Sequence, residues 1–182
     1  MSHSINLFYL IINYYIRNLP NYILLVNLEK AEICLITQYN NIFNLTCFFK
    51  KHTNALVNVL IDITAADFPQ KNLRFEVIYN CISMKYNNKM RFKISVNEVM
   101  AISSLYNLYL SSNWLEREVW DLFGIFFFDH SRLRRILTDY GFSGYPLRKD
   151  FPAVGFYEVR YSETLQKVIY EPLEFTSYLR FV

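Results

Sequence analysis

The side chains best suited to acid–base chemistry lie around His130, which directly follows Asp129 and comes shortly after Glu118 and Asp121. A histidine beside a carboxylate can act as a general base, because its ordinary pKa lies near neutral pH. The chain has 3 histidines, however, and none stands in a metal-ligand spacing such as His-Glu-x-x-His. A hydrogen-bonded loop pair is the simpler interpretation, and we predict no catalytic residue.

The cysteines and glycines exclude the common cofactor motifs. The chain has 3 cysteines, Cys34, Cys47 and Cys81, without a Cys-x-x-Cys pair, whereas iron–sulfur clusters and zinc ribbons take several cysteines at short spacings. Dinucleotide-binding glycine patterns, Walker loops and nucleophile elbows are also absent from the sequence. We therefore expect neither a metal nor a cofactor in this chain.

Basic residues raise a second hypothesis, that the chain is a nucleic-acid-binding module. They are concentrated at Lys89, Arg91 and Lys93 and in a cluster from Arg132 to Arg135. Phosphate binding needs a positive surface with many contacts, yet the net charge is only +3 and acidic residues are interleaved. We keep nucleic-acid binding as the alternative, and we expect the strand lysines to lie on a solvated face.

The elements that position these side chains follow from hydrophobic periodicity. Helices are predicted over residues 1–18, ended by Pro20, and over residues 41–51. Alternation predicts strands over four stretches: 21–37 (two short strands around Glu29-Lys30), 57–63, 73–81 and 90–96. Together they predict an α+β fold, a two-layer sandwich of a mostly antiparallel sheet with helices packed on it.

Two finer expectations concern individual faces and ends. In the strand over 57–63, we expect four residues to point to one face: Val57, Val59, Ile61 and Ile63. Ser103-Ser104 is expected to cap a further helix that runs toward Asn113.

A helix from Asn113 to Gly124 is predicted by an apolar face that consists of Leu115, Val119, Leu122 and Phe123. Glu116 falls inside this apolar arc, and two explanations stay open. It could complete a capping box with Asn113 as N-cap, or it could be a buried carboxylate paired with an arginine from elsewhere. Arg117 and Asp121 lie together, four residues apart, on the opposite face.

The last third of the chain differs in composition, because it holds all 4 glycines. From residue 129 to 152, charges, glycines and prolines alternate with single large apolar residues, and no period persists. Such a stretch cannot bury a continuous face of its own, so it must lie across another surface, either of its own domain or of a partner. We predict a core domain over residues 1–128 and an extended, irregular C-terminal segment over residues 129–182.

No stretch reaches the ~20 apolar residues that a spanning helix requires, since the best candidate, residues 5–12, is followed by Asn13. The N-terminus lacks the features of a secretory signal or an Arg-rich transit peptide. Phe, Tyr, Ile, Asn and Lys are abundant while Gly and Ala are sparse. This bias is typical of an A/T-rich, organellar coding region.

Two motifs resemble a known family. Residues 114–125 read Trp-Leu-Glu-Arg-Glu-Val-Trp-Asp-Leu-Phe-Gly-Ile, and residues 130–152 contain Leu-Arg-Arg-Ile-Leu-Thr-Asp-Tyr-Gly-Phe and Pro-Leu-Arg-Lys-Asp-Phe-Pro. These resemble the thirty-kilodalton subunit of respiratory complex I (NADH:ubiquinone oxidoreductase), of the mitochondrially encoded type. Ser131-Arg132 stands where that family usually has Pro-Asp, and Tyr145 where it usually has histidine. In a working chain, neither family residue can be essential.

The resemblance implies a cofactor-free structural and assembly subunit of the quinone-reducing module in the peripheral arm of the proton-pumping complex. The expected partners are the forty-nine-kilodalton quinone-site subunit and neighbouring iron–sulfur subunits. FMN, iron–sulfur clusters and ubiquinone would belong to those other subunits. The implied location is peripheral, on the matrix side of the mitochondrial inner membrane, without a membrane span of its own and without nucleic acid.

We therefore predict two groups of site residues. Contacts with partner subunits are expected from charged and aromatic residues of the C-terminal segment: Arg132, Arg134, Arg135, Asp139, Tyr140, Arg148, Lys149 and Asp150. The structure of the motif itself, including the orientation of the segment where it leaves the core, is expected to depend on a second group: Glu116, Arg117, Glu118, Asp121, Gly124, His130, Gly141 and Gly144.

Overall fold

The computed structural model describes residues 2–29 and 32–174. Its helices are α1 (Ser2–Asn18), α2 (Ile42–Lys51), preceded by a 3₁₀ turn at Tyr39–Asn41, and α3 (Ser112–Phe123). Its strands are β1 (Leu25–Glu29), β2 (Glu32–Thr37), β3 (Val59–Asp67), β4 (Phe75–Ser83), β5 (Asn88–Val96), β6 (Ile102–Ser103), β7 (Phe127–Phe128), β8 (Tyr157–Ser162) and β9 (Lys167–Pro172). Within these ranges, no helix is long and apolar enough to cross a membrane.

A five-stranded sheet forms one layer, in the order β1-β2-β5-β4-β3. Its neighbours run antiparallel except for β2 and β5, which are parallel. Alternate residues of β4 and β5 are buried, as period-two patterning requires, and α2 packs on them, with Phe49 and Phe92 ring centroids 5.4 Å apart. The α+β fold with a mostly antiparallel sheet is thus confirmed.

The facing predicted for residues 57–63 is wrong for Val59 and Ile61, since Val57 and Ile63 are buried whereas these two are exposed. The pairing of β3 with β4 shifts register between Leu60 and Asp62, so Leu60 and Ile63 are both buried while Val59 and Ile61 are exposed. A β-bulge of this kind inserts one residue and reverses the side on which later side chains point. Strict alternation in the sequence could not reveal the inserted residue.

The helix predicted after Ser103-Ser104 does not form. Ile102 and Ser103 pair in parallel with Phe127 and Phe128 as β6 and β7, and turns fill the stretch before Ser112. The Ser104 hydroxyl, instead of capping a helix, donates a hydrogen bond to a carboxylate of α3.

The start of α3 also differs from prediction. The helix begins at Ser112, so Asn113 lies inside its first turn and is not the N-cap, and Ser111 makes no side-chain cap hydrogen bond. The capping-box explanation of Glu116 is therefore wrong. The predicted C-terminal end is confirmed: α3 ends at Phe123, and Gly124 adopts a left-handed conformation with φ 76°.

Residues 129–156 form turns and bends, as the lack of periodicity predicted, but two strands follow them. β8 and β9 make an antiparallel hairpin with Tyr157 opposite Pro172 and Ser162 opposite Lys167. The division between residues 1–128 and 129–182 stays a prediction. Residues 175–182, which belong to that segment, lie outside the described ranges.

Candidate functional site

The C-terminal segment returns to its own domain, and Asp121 of α3 is the main attachment point. This side chain is fully buried. Its Oδ2 accepts the backbone N–H groups of Ile136, Leu137 and Thr138 at 3.1, 2.7 and 2.9 Å. Its Oδ1 accepts the Thr138 hydroxyl at 2.5 Å and the Arg135 guanidinium at 2.9 Å. One carboxylate thus fixes the backbone and two side chains of the segment.

This environment keeps Asp121 ionised. Burial by itself raises the pKa of Asp121, but the hydrogen bonds from Thr138, Leu137 and Ile136 outweigh it and hold the pKa well below its ordinary value. The i, i+4 spacing of Arg117 and Asp121 would permit an ion pair, but Asp121 pairs with Arg135 instead.

A second attachment point lies at the end of β3. Both carboxylate oxygens of Asp67 accept hydrogen bonds from Arg74, at 2.7 and 2.8 Å, and Oδ2 also accepts the Lys149 backbone N–H at 2.8 Å. Arg74 in turn forms an ion pair with Asp150 at 2.6 Å. The hydrogen bond from Arg74 lowers the pKa of Asp67, and the one from Lys149 adds to it against the effect of burial.

Arg148 makes the third attachment, at the C-terminal end of α3. Its Nε–H donates to the Phe123 carbonyl at 2.6 Å, its guanidinium lies 4.4 Å from the Tyr145 ring centroid, and it pairs with Glu98 at 3.3 Å. A Cβ on Gly124 would lie 2.6 Å from the Tyr145 ring and 2.7 Å from Arg148 Nη2. Glycine is therefore required here both by the positive φ and by the close approach of the segment.

Glu116 is also buried, on the side of α3 away from Asp121, and its hydrogen-bond partners are not arginines. Its Oε2 accepts the Ser104 hydroxyl at 2.5 Å and its Oε1 accepts the Leu105 N–H at 2.7 Å. Burial raises the pKa of Glu116 to about 7, although the hydrogen bonds from Ser104 and Leu105 oppose the shift. The buried-carboxylate explanation holds, but the expected arginine partner was wrong.

His130 lies 4.0 Å from Glu116 between Nε2 and Oε2. Its Nε2 is 3.1 Å from the Asn113 carbonyl, which can only accept, and its Nδ1 is 3.1 Å from the Arg132 N–H, which can only donate. These partners fix the neutral tautomer with the proton on Nε2. Burial lowers the pKa of His130, so this histidine is held as a neutral structural group.

Glu116→Gln is expected to remove a pH dependence of folding. The pKa of Glu116 is about 7 in the folded chain against an ordinary 4.5, so the folded state binds the extra proton. Its contribution to stability is full below pH 4.5 and is lost as the pH rises through 7, by up to about 3 kcal/mol. Urea denaturation from pH 5 to 8 should show wild type losing stability relative to Glu116→Gln. The lowered pKa of His130 gives a slope of the opposite sign in both proteins, so the prediction concerns the difference between the two curves, and parallel curves would contradict it.

The predicted partner-binding residues separate into two groups. Arg135, Asp139, Arg148 and Asp150 have side-chain partners within the chain. Arg132, Arg134, Tyr140 and Lys149 have exposed side chains. Contact with a partner subunit stays a prediction for both groups.

The second predicted group does not form one cluster, and only part of it lies at the origin of the segment. Glu116 and His130 lie together, Asp121 and Gly124 contact the segment separately, and Glu118 is exposed. Gly141 and Gly144 lie in turns of the segment, and the Gly144 carbonyl accepts a hydrogen bond from Arg135.

Four residues that bind the segment through hydrogen bonds or ion pairs were not predicted from the sequence. Asp67 and Arg74 lie at facing ends of β3 and β4, Glu98 follows β5, and Thr138 lies inside the segment. A signal was available only for the first pair, since a carboxylate and an arginine flanking a hairpin loop can meet. The hydrogen bond from the Lys149 N–H to Asp67 could not be predicted in the same way, because 82 residues separate the two in the sequence.

The cysteines do not fit a metal cluster. Cys34 is opposite Arg91 and Cys81 is opposite Met90 in the sheet, so the two thiols point to opposite faces. Burial raises the pKa of Cys81 to about 12, which disfavours the thiolate that binds metal. Among the described residues, no three His, Cys, Asp or Glu side chains come together as a metal site.

The basic strand face is solvated and internally paired. Lys89 and Arg91 lie 3.7 and 2.9 Å from Glu32, and Lys93 lies 3.8 Å from Glu76. Two carboxylates therefore lie against the three positive charges, and this face offers no continuous positive surface for phosphates.

The hairpin carries an exposed apolar face, which we call the hairpin face. Cross-strand pairing places six side chains on it, with Val159 opposite Tyr170 and Tyr161 opposite Val168. The face consists of Tyr157, Val159, Tyr161, Val168, Tyr170 and Pro172, and the first five are 56–62% exposed. Three of its residues, Tyr157, Val159 and Tyr170, line one side of a cleft of about 670 Å³, whose other walls include Phe142, Phe151 and Phe156.

Comparisons with known proteins agree on one family. Residues 35–157 match the family of the respiratory-chain NADH dehydrogenase 30 Kd subunit. A potato (Solanum tuberosum) protein, NADH dehydrogenase [ubiquinone] iron-sulfur protein 3, is 51% identical over 145 residues, which are 80% of this chain and 76% of that protein. A probable NADH-ubiquinone oxidoreductase 30.4 kDa subunit, mitochondrial, of Candida maltosa is 45% identical over 90% of this chain and 59% of its own length.

A solved structure supports the fold. A chain of the membrane-bound sulfane sulfur reductase, an archaeal respiratory membrane complex, aligns with a TM-score of 0.67 at 20% identity, over 78% of this chain and 84% of that chain. The family match covers most of the described chain, including the two motifs and all three attachment points up to residue 150. The chain therefore belongs to the family of the 30 kDa subunit of respiratory-chain NADH dehydrogenase.

Proposed function

We propose that this chain is a structural and assembly subunit of proton-pumping NADH:ubiquinone oxidoreductase, in the quinone-reducing module of the peripheral arm. The family membership supports a role within that enzyme complex. Both the family membership and the paired charges of the strand face disfavour nucleic-acid binding. The partners we propose are the forty-nine-kilodalton quinone-site subunit and neighbouring iron–sulfur subunits.

We further propose that the chain holds no cofactor and that FMN, the iron–sulfur clusters and ubiquinone are bound by other subunits. The donor set supports this, because a cluster needs several thiolates in one place and the Cys34 and Cys81 thiols point to opposite faces of the sheet. The chain would then serve as a scaffold that holds the electron-carrying subunits in place relative to one another.

The proposed location is the matrix side of the mitochondrial inner membrane, bound peripherally. Its support is the relative from Candida maltosa, whose name places it in the mitochondrion, and the A/T-type composition of the chain.

The single observation that carries the assembly role is the hairpin face. A two-stranded hairpin is marginally stable by itself, and exposed apolar patches rimmed by polar residues mark protein interaction sites. Here the opposite face of the hairpin is polar apart from Ile169, with an ion pair of 2.7 Å between Arg160 and Glu171. The apolar face is therefore the one that a partner subunit would cover.

The test is to replace two residues of the hairpin face in the full chain, as Val159→Ser with Tyr161→Ser. We expect this variant to be incorporated roughly thirtyfold less into the complex, because hot-spot aromatic residues at interfaces are worth about 2 kcal/mol or more. Incorporation is measured by the amount of tagged chain that co-purifies with the quinone-site subunit from mitochondrial membranes.

A matched control is available on the opposite face of the same hairpin. Glu158→Ser with Lys167→Ser leaves the net charge unchanged and alters two exposed side chains, so it should be incorporated like wild type. If the wild-type chain itself did not co-purify with subunits of the complex, the proposed function would be wrong.

A further inference from the structure

Arg117 is a buried arginine without a carboxylate partner in the described part of the chain. Only 7% of the residue is exposed, its Nε–H donates to the Arg134 carbonyl at 3.2 Å, and its guanidinium lies 5.1 Å from the Trp114 ring centroid. Among the described residues, no Asp or Glu oxygen lies within ion-pair distance of it, in contrast to Arg74, Arg135 and Arg148.

Two further arginines lie close to it. Arg132 and Arg134 are exposed, and no ion pair involving either is formed within the described ranges. Burial lowers the pKa of Arg117, and the positive charges of Arg134 and Arg132 lower it further. Two further positive charges thus lie near one buried guanidinium.

This arrangement is unfavourable without an anion. A buried charge is costly unless it is paired, and like charges at short range repel each other. Arginines elsewhere in the described chain show the usual solution, since Arg74 lies against both Asp67 and Asp150. A negatively charged group placed between Arg117, Arg132 and Arg134 would remove both costs.

We propose that Arg117, Arg132 and Arg134 form a binding site for an acidic side chain of a neighbouring subunit, with Trp114 as its apolar wall. The inference rests on the proposed function and adds to it the chemistry of one contact. The planar guanidinium binds a carboxylate through two parallel hydrogen bonds. Trp114 is 65% exposed, and tryptophan beside arginine is the composition of interface hot spots.

A phosphate group is the less suitable occupant. Phosphates at helix ends are bound by free backbone N–H groups of the first turn, but here the N–H groups of Ser112 and Asn113 already donate to the Tyr109 and Leu110 carbonyls. These two N–H groups are therefore already used, and the donors left for an anion here are the side chains of Arg117, Arg132 and Arg134.

The test uses the assembled complex with Arg132→Lys and Arg134→Lys introduced singly into the full chain. A carbodiimide joins a lysine amine to a carboxylate that it directly contacts. We expect mass spectrometry to find a cross-link from position 132 or 134 to an Asp or Glu of another subunit. Lack of any such cross-link in the intact complex would overturn the inference.

A second variant keeps the test independent of cross-linking chemistry. Arg132→Gln with Arg134→Gln should be incorporated roughly tenfold less into the complex, since the partner's carboxylate would then lie unpaired at the interface. The thermal stability of the isolated chain should be unchanged or higher, because two repelling charges are removed. Lys71→Gln with Lys85→Gln changes the net charge equally at exposed positions and should have little effect.

The outcomes separate the two proposals. If wild type co-purifies with the complex and the Arg132→Gln/Arg134→Gln variant does so equally well, this inference fails while the proposed function stands. If the arginine variant instead loses binding to phosphatidylcholine vesicles that contain cardiolipin, and no cross-link to protein is found, the site binds lipid phosphate and the inference also fails.

Discussion

Asp121→Ala is expected to lower the free energy of unfolding of the full chain by about 3 kcal/mol and to release the C-terminal segment. Asp121 is fully buried and accepts bonds from three backbone N–H groups, the Thr138 hydroxyl and Arg135. Removing it leaves those donors unpaired. Because Arg135 is partly exposed and can rehydrate, the lower end of the range for buried charges applies.

Urea denaturation measures the stability change, and limited trypsin digestion measures release of the segment. Cleavage after Arg134 and Arg135 should become faster in Asp121→Ala. Glu118→Ala is the matched control, since it removes an exposed carboxylate from the same helix and should leave both measurements near wild type. Equal digestion rates for the two variants would show that the segment does not depend on Asp121.

The same variant should lose part of its acid sensitivity. The pKa of Asp121 is held below its ordinary value of 3.8, so its stabilising contribution is present above pH 3.8 and is lost as the pH falls below that value. The stability of wild type should therefore fall more steeply below pH 4 than that of Asp121→Ala. Asp67 keeps some acid dependence in both proteins, because its pKa is also lowered.

Gly124→Ala should destabilise the chain by about 3 kcal/mol, as the sum of two effects. A non-glycine residue in the left-handed region costs about 1 to 2 kcal/mol, and φ at Gly124 is 76°. A Cβ would also lie 2.6 Å from Tyr145 and 2.7 Å from Arg148, and overpacking of this kind costs about 1 to 3 kcal/mol. Both side chains belong to the segment, so they would have to move away from α3.

Gly141→Ala separates the two effects. Its φ is 73°, but no atom lies within 4 Å of the Cβ position, so it carries the backbone cost without the clash. In urea denaturation, the midpoint concentration should be clearly lower for Gly124→Ala than for Gly141→Ala, with the same dependence of the unfolding free energy on urea concentration. If the two variants were equally stable, Tyr145 and Arg148 would not pack closely on Gly124.

Patterns that repeat along the chain predicted much of the fold. β4 and β5 were predicted because Phe75, Val77 and Tyr79 alternate with polar residues over a long stretch, and α1 and α2 followed from helical spacing and Pro20. Local rules failed where one tertiary contact decided the outcome. The bulge beyond Leu60 and the pairing of β6 with β7 depend on neighbouring strands that the local sequence does not contain.

The site residues show the same division. Spacing placed Glu116 in an apolar arc and predicted its burial, but its partners, Ser104 and the Leu105 N–H, come from a turn 11 or 12 residues away. Asp121 was expected to orient the segment, yet its donors from residues 135–138 could not be read from the spacing. Side-chain partners across a loop depend on how the chain folds back, because hydrogen bonds are directional and short-ranged.

The sequence by itself determined the family, the α+β class and the lack of a usual cofactor motif, because these depend on residue identity and period. The tertiary structure alone decided which charges of α3 and the segment are available to a partner. Arg135, Arg148 and Asp150 are paired with Asp121, Glu98 and Arg74, whereas Arg117, Arg132 and Arg134 converge without a carboxylate among the described residues. An arginine has the same charge in either setting, and only the positions of the surrounding carboxylates determine whether that charge is already neutralised.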